Sequence, residues 1–196
     1  MGRLSKDAEV LGFFIQDGAG IGHTRLVKLA YLADLESRKL LGRPITSWSY
    51  RFHHHGPFDS SLYSALKELA DAGMVTEAPV VYPEGKVERQ VRGTGEISSS
   101  RLSEVEKRIL AHVRRTWASA PLDELLAAVY ATEPMRQAVR GKAVPMHLVN
   151  NAGRDELGFD LDEVMAARRD AERGDYLTAA EFFDALRAEV TARHAR

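Results

Sequence analysis

Between Thr24 and Gly42 the chain sets Leu26, Leu29, Ala30, Leu32, Ala33 and Leu40 at helical spacing. That gives a long helix with a broad apolar face, and such a face has to be covered by other elements. Thr24 is a candidate N-cap, while Gly42 tolerates a left-handed C-cap and Pro44 lacks the N–H that a longer helix needs. A shorter helix precedes it, with Ser5 as cap and Ala8, Leu11, Phe14 and Ile15 on one face. Gly18, Gly20 and Gly22 break the pattern between the two.

Beyond Pro44, the aromatic run from Trp48 to His53 reads as a short strand, and Gly56-Pro57 as a turn. Asp59 or Ser60 caps a third helix carrying Leu62, Ala65, Leu66 and Leu69 and ending at Gly73. Met74–Val81 and Val87–Val91 flank a Pro/Gly-bearing turn and form a hairpin. A helix followed by a hairpin is the layout of a winged-helix module. Gly93–Ser100 is small and polar, an internal loop. Ser103 and Glu106 make a capping box before a helix reaching Trp117, and Pro121 and Pro134 open two more. The expected fold is mainly helical α+β: a compact domain over residues 1–150 with a small sheet or wing-like hairpin, then a helical tail over 151–196.

Composition excludes several functions. The 196 residues contain no cysteine, which removes disulfides, thiolate nucleophiles and cysteine metal sites. No run of 18 apolar residues spans a membrane, and the start lacks a signal peptide's apolar stretch, so the expected location is cytoplasmic. Net charge is −1, unlike a protein built mainly to coat nucleic acid. Charge is uneven, however: residues 1–150 hold 20 Lys and Arg against 17 Asp and Glu, and residues 151–196 hold 7 against 11.

Candidate chemistry is sparse. In a strand, His53 and His55 would share one face about 7 Å apart, but the nearest carboxylate is Asp59 and no third ligand stands at metal spacing. The glycines of Gly18–Gly22 miss both phosphate-loop spacings and lack a preceding strand. His112, His147 and His194 are scattered, and no serine sits in a nucleophile elbow. No metal site, cofactor or enzymatic activity is expected. Arg38-Lys39 with Arg43, and Arg114-Arg115, are short basic clusters that could meet DNA phosphates beside the hairpin or lie on solvated helix faces.

The order and spacing of Val27-Lys28-Leu29-Ala30-Tyr31-Leu32-Ala33-Asp34, Gly42-Arg43-Pro44-Ile45-Thr46, Tyr50, Gly56-Pro57 and Leu62-Tyr63-Ser64-Ala65-Leu66 resemble the Panacea domain, the SocA-like antitoxin domain. Leu122–Leu125 and Glu133-Pro134-Met135 resemble its C-terminal region; His55 stands where an aromatic often precedes Gly-Pro, and Met135 where Trp is common. The resemblance covers about residues 5–150. It implies an antitoxin that neutralises a toxin encoded nearby by stoichiometric binding, and in one branch an adaptor delivering its toxin to a protease. The alternative is a winged-helix DNA-binding regulator acting on operator DNA.

Within the motif, Lys28, Leu32, Gly56, Pro57 and Tyr63 are expected to be structural, while Tyr31 and Asp34, three apart on one helix, are candidate toxin contacts. Asp34 could equally pair with a nearby Lys or Arg. The tail resembles the toxin-wrapping ends of small type II antitoxins, with two amphipathic segments, Leu161–Arg168 and Thr178–Val190, about a turn at Gly174. Thr178 and Glu181 form a capping box, and Phe182, Phe183, Leu186 and Val190 line one side. Tyr176 and that stripe are candidate contacts for a toxin groove; the other reading packs the two phenylalanines on the body.

Overall fold

The structure, a computed structural model, describes residues 3–149 other than 17, 19, 84 and 86. Its centre is α2 (His23–Leu41), in which every residue from Leu26 to Leu35 is buried. The apolar face read from the sequence is therefore the core over this stretch, where neighbours cover the other sides of the helix too, while Leu40 is half-buried and Lys39 exposed. Around it pack α1 (Lys6–Ile15), α4 (Glu104–Trp117), α5 (Leu122–Tyr130) and the short strand β3 (Gly56–Phe58). α3 (Ser61–Asp71) packs on α1, burying Leu62, Ala65, Leu66 and Leu69, and α6 (Glu133–Arg136) follows α5.

The sheet elements are small. A three-stranded antiparallel sheet has the order β1 (Ile21–Gly22), β5 (Val87–Gly93), β4 (Val75–Val81). β2 (Arg51–His53) pairs with β3, and Arg51 also bridges to Ala143. The fold is thus mainly helical α+β with a hairpin after α3, as expected. β4 is an edge strand, and its Pro79 lies opposite Arg89. Thr94 N donates to Met74 O at 3.0 Å, which sets the alternation of the ladder and places the hydrogen-bonded pairs at Thr76, Ala78 and Val80. The nitrogen of Pro79 faces away from β5, so proline breaks no ladder bond and deprives the open edge of a donor.

Local chemistry explains most boundaries. The Ser5 hydroxyl accepts from Ala8 N at the start of α1, and Ser103 with Glu106 forms the full capping box of α4. Gly12 lets α1 approach the 94–103 loop: a Cβ there would collide with Ile97 Cγ2.

Three boundaries differ from expectation. Thr24 lies inside α2, whose N-cap is Gly22, because pairing of Ile21 with Val91 and Gly22 with Gln90 fixes where the helix can begin. Gly56 and Pro57 belong to β3, and the turn of that hairpin is His54-His55. Regular pairing in the aromatic run begins at Arg51, with Trp48 and Tyr50 buried ahead of it. Of the two cap candidates of α3, Ser60 holds the cap position without a side-chain cap bond, and the Asp59 side chain accepts from Ser61 N at 2.7 Å.

Candidate interaction site

A helix buried on all sides must satisfy its own polar side chains, and α2 carries three in its middle. Asp34 is fully buried and accepts from Ile45 N at 2.8 Å, Thr46 N at 2.9 Å, the Thr46 hydroxyl, and the Tyr50 hydroxyl at 2.8 Å. It is the anchor that holds the 45–50 segment on the helix. Burial pushes its carboxyl above the usual range, against the pull of these four donors. Tyr50 is raised well above the ordinary phenol value by burial first and by the Asp34 charge second.

Tyr31 is also fully buried, its ring edge-on to Tyr50 at 5.2 Å. Thr132 donates to Val129 O at 2.7 Å, so the Tyr31 hydroxyl donates to Thr132 Oγ1 at 2.8 Å. Burial raises Tyr31 to about 12. Lys28 is 1% exposed and donates to Pro57 O at 2.7 Å, tying α2 to β3; desolvation pulls its ammonium down to about 8. Gly56, next to that contact, has φ +90°, with Tyr130 and Lys28 facing its α-carbon.

The residues named from sequence therefore separate. Lys28, Gly56 and Pro57 are buried at the α2–β3 contact, and Leu32 is buried on α2. Tyr31 and Asp34 are buried as well, so neither offers surface to a partner in this fold, and Asp34 meets hydroxyls and amides where a Lys or Arg was one option. Tyr63, grouped with the structural positions, is 53% exposed on α3. Tyr176, Phe182, Phe183, Leu186 and Val190 lie outside the described residues. Of the basic clusters, Lys39 pairs with Glu36 and Arg43 with buried Glu106, which Lys6 also meets.

A second assembly lies on the surface. The rings of His54 and His53 meet at 4.6 Å, His53 and Phe58 at 5.7 Å, Phe58 and Tyr63 at 6.0 Å, and Tyr63 and His23 at 5.7 Å. This row of five rings runs from the β2–β3 turn across the first turn of α3 to the start of α2. Its only sequence signal was the histidine run; the other rings come from separate elements, and the topology joins them. Among the described residues no three His, Asp or Glu side chains converge as a metal site.

Fold and motif together define a small α+β domain in which a helix-borne Lys-Tyr-Asp set ties one central helix to the 45–57 segment and to Thr132. The family model described as "Antitoxin SocA-like, Panacea domain" matches residues 26–134, more than half of the chain, and the chain belongs to that family. No curated protein and no solved structure gives a significant match. Among the described residues no helix is long and apolar enough to cross a membrane.

Proposed function

We propose that this chain is the antitoxin of a toxin–antitoxin pair and neutralises its cognate toxin by direct, stoichiometric binding in the cytoplasm. The observation that carries the reading is the family match over residues 26–134, which gives the chain a toxin–antitoxin context. The motif chemistry agrees with it: the polar groups of α2 are engaged in holding the fold, so recognition falls to other parts of the chain.

The acidic segment 151–196 is one such part. Its excess of Asp and Glu suits a toxin whose surface is basic because it engages RNA phosphates, and Phe182, Phe183, Leu186 and Val190 supply an apolar stripe for a groove. Binding energy would concentrate in the aromatic anchors.

The test is co-expression with a neighbouring open reading frame, scored for growth and copurification. Growth arrest by the neighbour, relieved by this chain in a stable complex, is the expected result. A harmless neighbour and no complex would end the antitoxin reading. Phe182→Asp with Phe183→Asp should abolish neutralisation while the melt of the body is unchanged; a lost cooperative melt would assign both rings to the core instead.

A winged-helix regulator is the second reading, favoured by one observation. Apart from the β2–β3 hairpin that stands between α2 and α3, the order helix, strand, helix, helix, hairpin, with the first strand on the outer side of the hairpin's second strand, is that of a winged helix. The charge at the groove-reading position gives it less support: on α3, Lys67 pairs with Asp71, and Glu68 lies beside them.

A further inference from the structure

We propose that the ring row and the basic surface beside it form a binding site for single-stranded nucleic acid, distinct from the contact that the acidic segment would make with a toxin. Two stretches, 43–58 and 134–149, contain no Asp or Glu, and together they hold four His and five Lys and Arg, of which Arg43 pairs with Glu106 and Arg136 with Glu133, leaving Arg51, Arg140 and Lys142 to the surface beside the rings. The fold lays them side by side. Phe52 N donates to Lys142 O at 2.9 Å, Gly141 N to Phe52 O at 2.8 Å, and Val144 N to Tyr50 O at 2.8 Å. Arg51 reaches Gly141 O at 3.1 Å, and Arg140 donates to His54 Nδ1 at 2.6 Å. Arg51, Arg140 and Lys142 are exposed, as are His53, His54 and His55, and the ring row starts at His54.

The carboxylates nearest the row are already engaged. Asp59 accepts from Ser49 N and Ser61 N, both at 2.7 Å, and Glu77 faces His23 at 3.2 Å and Arg89 at 3.5 Å. A surface with guanidinium and ammonium groups at one end and a succession of rings leading away from them matches the two needs of an unpaired strand: cations for phosphates and π-faces for bases. Duplex recognition fits less well. It asks for a basic helix face in a groove, and the only lysine on α3 is tied to Asp71. The assignment concerns described residues alone and stands whether or not a toxin is the chain's partner.

The test uses the full chain and fluorescently labelled 12-nucleotide single strands, one RNA and one DNA of the same sequence, with the corresponding DNA duplex as a third probe. Anisotropy is read across salt. The single strands should bind more tightly than the duplex, and the ribo and deoxy arms tell which backbone is preferred. Tyr63→Ala and His53→Ala should each weaken binding about fivefold or more with the salt slope unchanged, and Tyr63→Phe should restore it. Arg51→Ala and Arg140→Ala should each flatten the log–log salt slope by about 0.7, the value for one phosphate contact on a single strand. Lys39→Ala, at the far end of α2 from His23, should do neither.

Three results would overturn the proposal: no single-strand binding at about 50 mM salt, tighter binding to the duplex, or equal effects of Lys39→Ala and the arginine changes. If Tyr63→Ala and His53→Ala leave oligonucleotide binding intact yet abolish capture of a cognate toxin, the row is a protein interface and the proposal fails. Thermal melts of every variant separate these outcomes from unfolding.

Discussion

The middle of α2 and the ring row draw on the same family motif and treat it in opposite ways. In α2, Lys28, Tyr31 and Asp34 are polar residues withdrawn from water, each answered by a partner from another segment. In the ring row, Phe58 and Tyr63 are aromatic residues held at the surface, each touching the next ring and leaving area to solvent. A lysine and an aspartate went inside while two aromatic rings stayed at the surface, the reverse of what side-chain class alone suggests. What decides is the helix that carries them: α2 is enclosed on every side between Leu26 and Leu35, whereas α3 buries one stripe and presents Tyr63 on the other. Substitutions in the two regions should accordingly break different things.

The largest effects are expected at the buried polar residues of α2, Asp34 among them. Asp34→Ala removes the acceptor for four donors and leaves buried N–H and O–H groups of Ile45, Thr46 and Tyr50 unmatched. A loss of about 3–4 kcal/mol in urea unfolding is expected, since each orphaned buried group costs about 1–3 kcal/mol and local relaxation recovers part. Asp34→Asn keeps one oxygen and should cost roughly half. A loss below about 1 kcal/mol for the alanine variant would show that the network is not what fixes the 45–50 segment.

The pH dependence of stability sharpens the comparison at Lys28. Its folded value is about 8 against 10.5 for an ordinary lysine, so between these values the unfolded chain holds a proton that the folded one has released. Stability must then rise with pH over that window, by about 2–3 kcal/mol if the group acts alone. Tyr31 acts in the other direction. Its value of about 12 exceeds the ordinary 10, so the folded state keeps a proton that the unfolded one loses, and stability falls as pH passes from 10 to 12. Urea melts should therefore show maximal stability near pH 10. Lys28→Met should remove the rising limb and leave the falling one; a rising limb that survives in the variant would assign it to another group.

Gly56 gives an intermediate effect. At φ +90° a side chain is strained, although the space beside the α-carbon is ordinary: an added methyl carbon would lie 3.5 Å from the Tyr130 ring. Gly56→Ala should cost about 1–2 kcal/mol from backbone conformation. A loss much above that would mean that the Lys28–Pro57 contact moves as well.

Much of this was legible in the chain. Periodicity and caps located every described α-helix, though not the short 3₁₀ turn Met146–Leu148, and the hairpin after α3 followed from Met74–Val91, because these signals are local. The boundaries that moved did so for nonlocal reasons: β1 is two residues long and exists only because β5 pairs with it, which displaces the cap of α2 from Thr24 to Gly22. Tyr31 and Asp34 show the same limit at the site. Their spacing put them on one helix, but whether solvent or Thr132, Thr46 and Tyr50 faced them depended on segments 11 to 101 positions away. The ring row was hidden for that reason too, since His23, His53, Phe58 and Tyr63 become neighbours only through the packing of α2, α3 and the β2–β3 hairpin.

The smallest stability effect is expected at Tyr63, and it contrasts most directly with Tyr31. Tyr31→Ala empties a buried site and removes the donor to Thr132 Oγ1, so about 3–4 kcal/mol should be lost. Tyr63→Ala removes a ring that is half in water and meets the rings of Phe58 and His23, so stability should change by no more than about 0.5 kcal/mol. Thermal melts and urea titrations of the two variants measure that difference. Were Tyr63→Ala to cost as much as Tyr31→Ala, the ring row would be part of what holds α3 against the β2–β3 hairpin, and its exposure would carry no information about binding. A negligible cost leaves the exposed ring without a structural task, and recognition is then the remaining use for it.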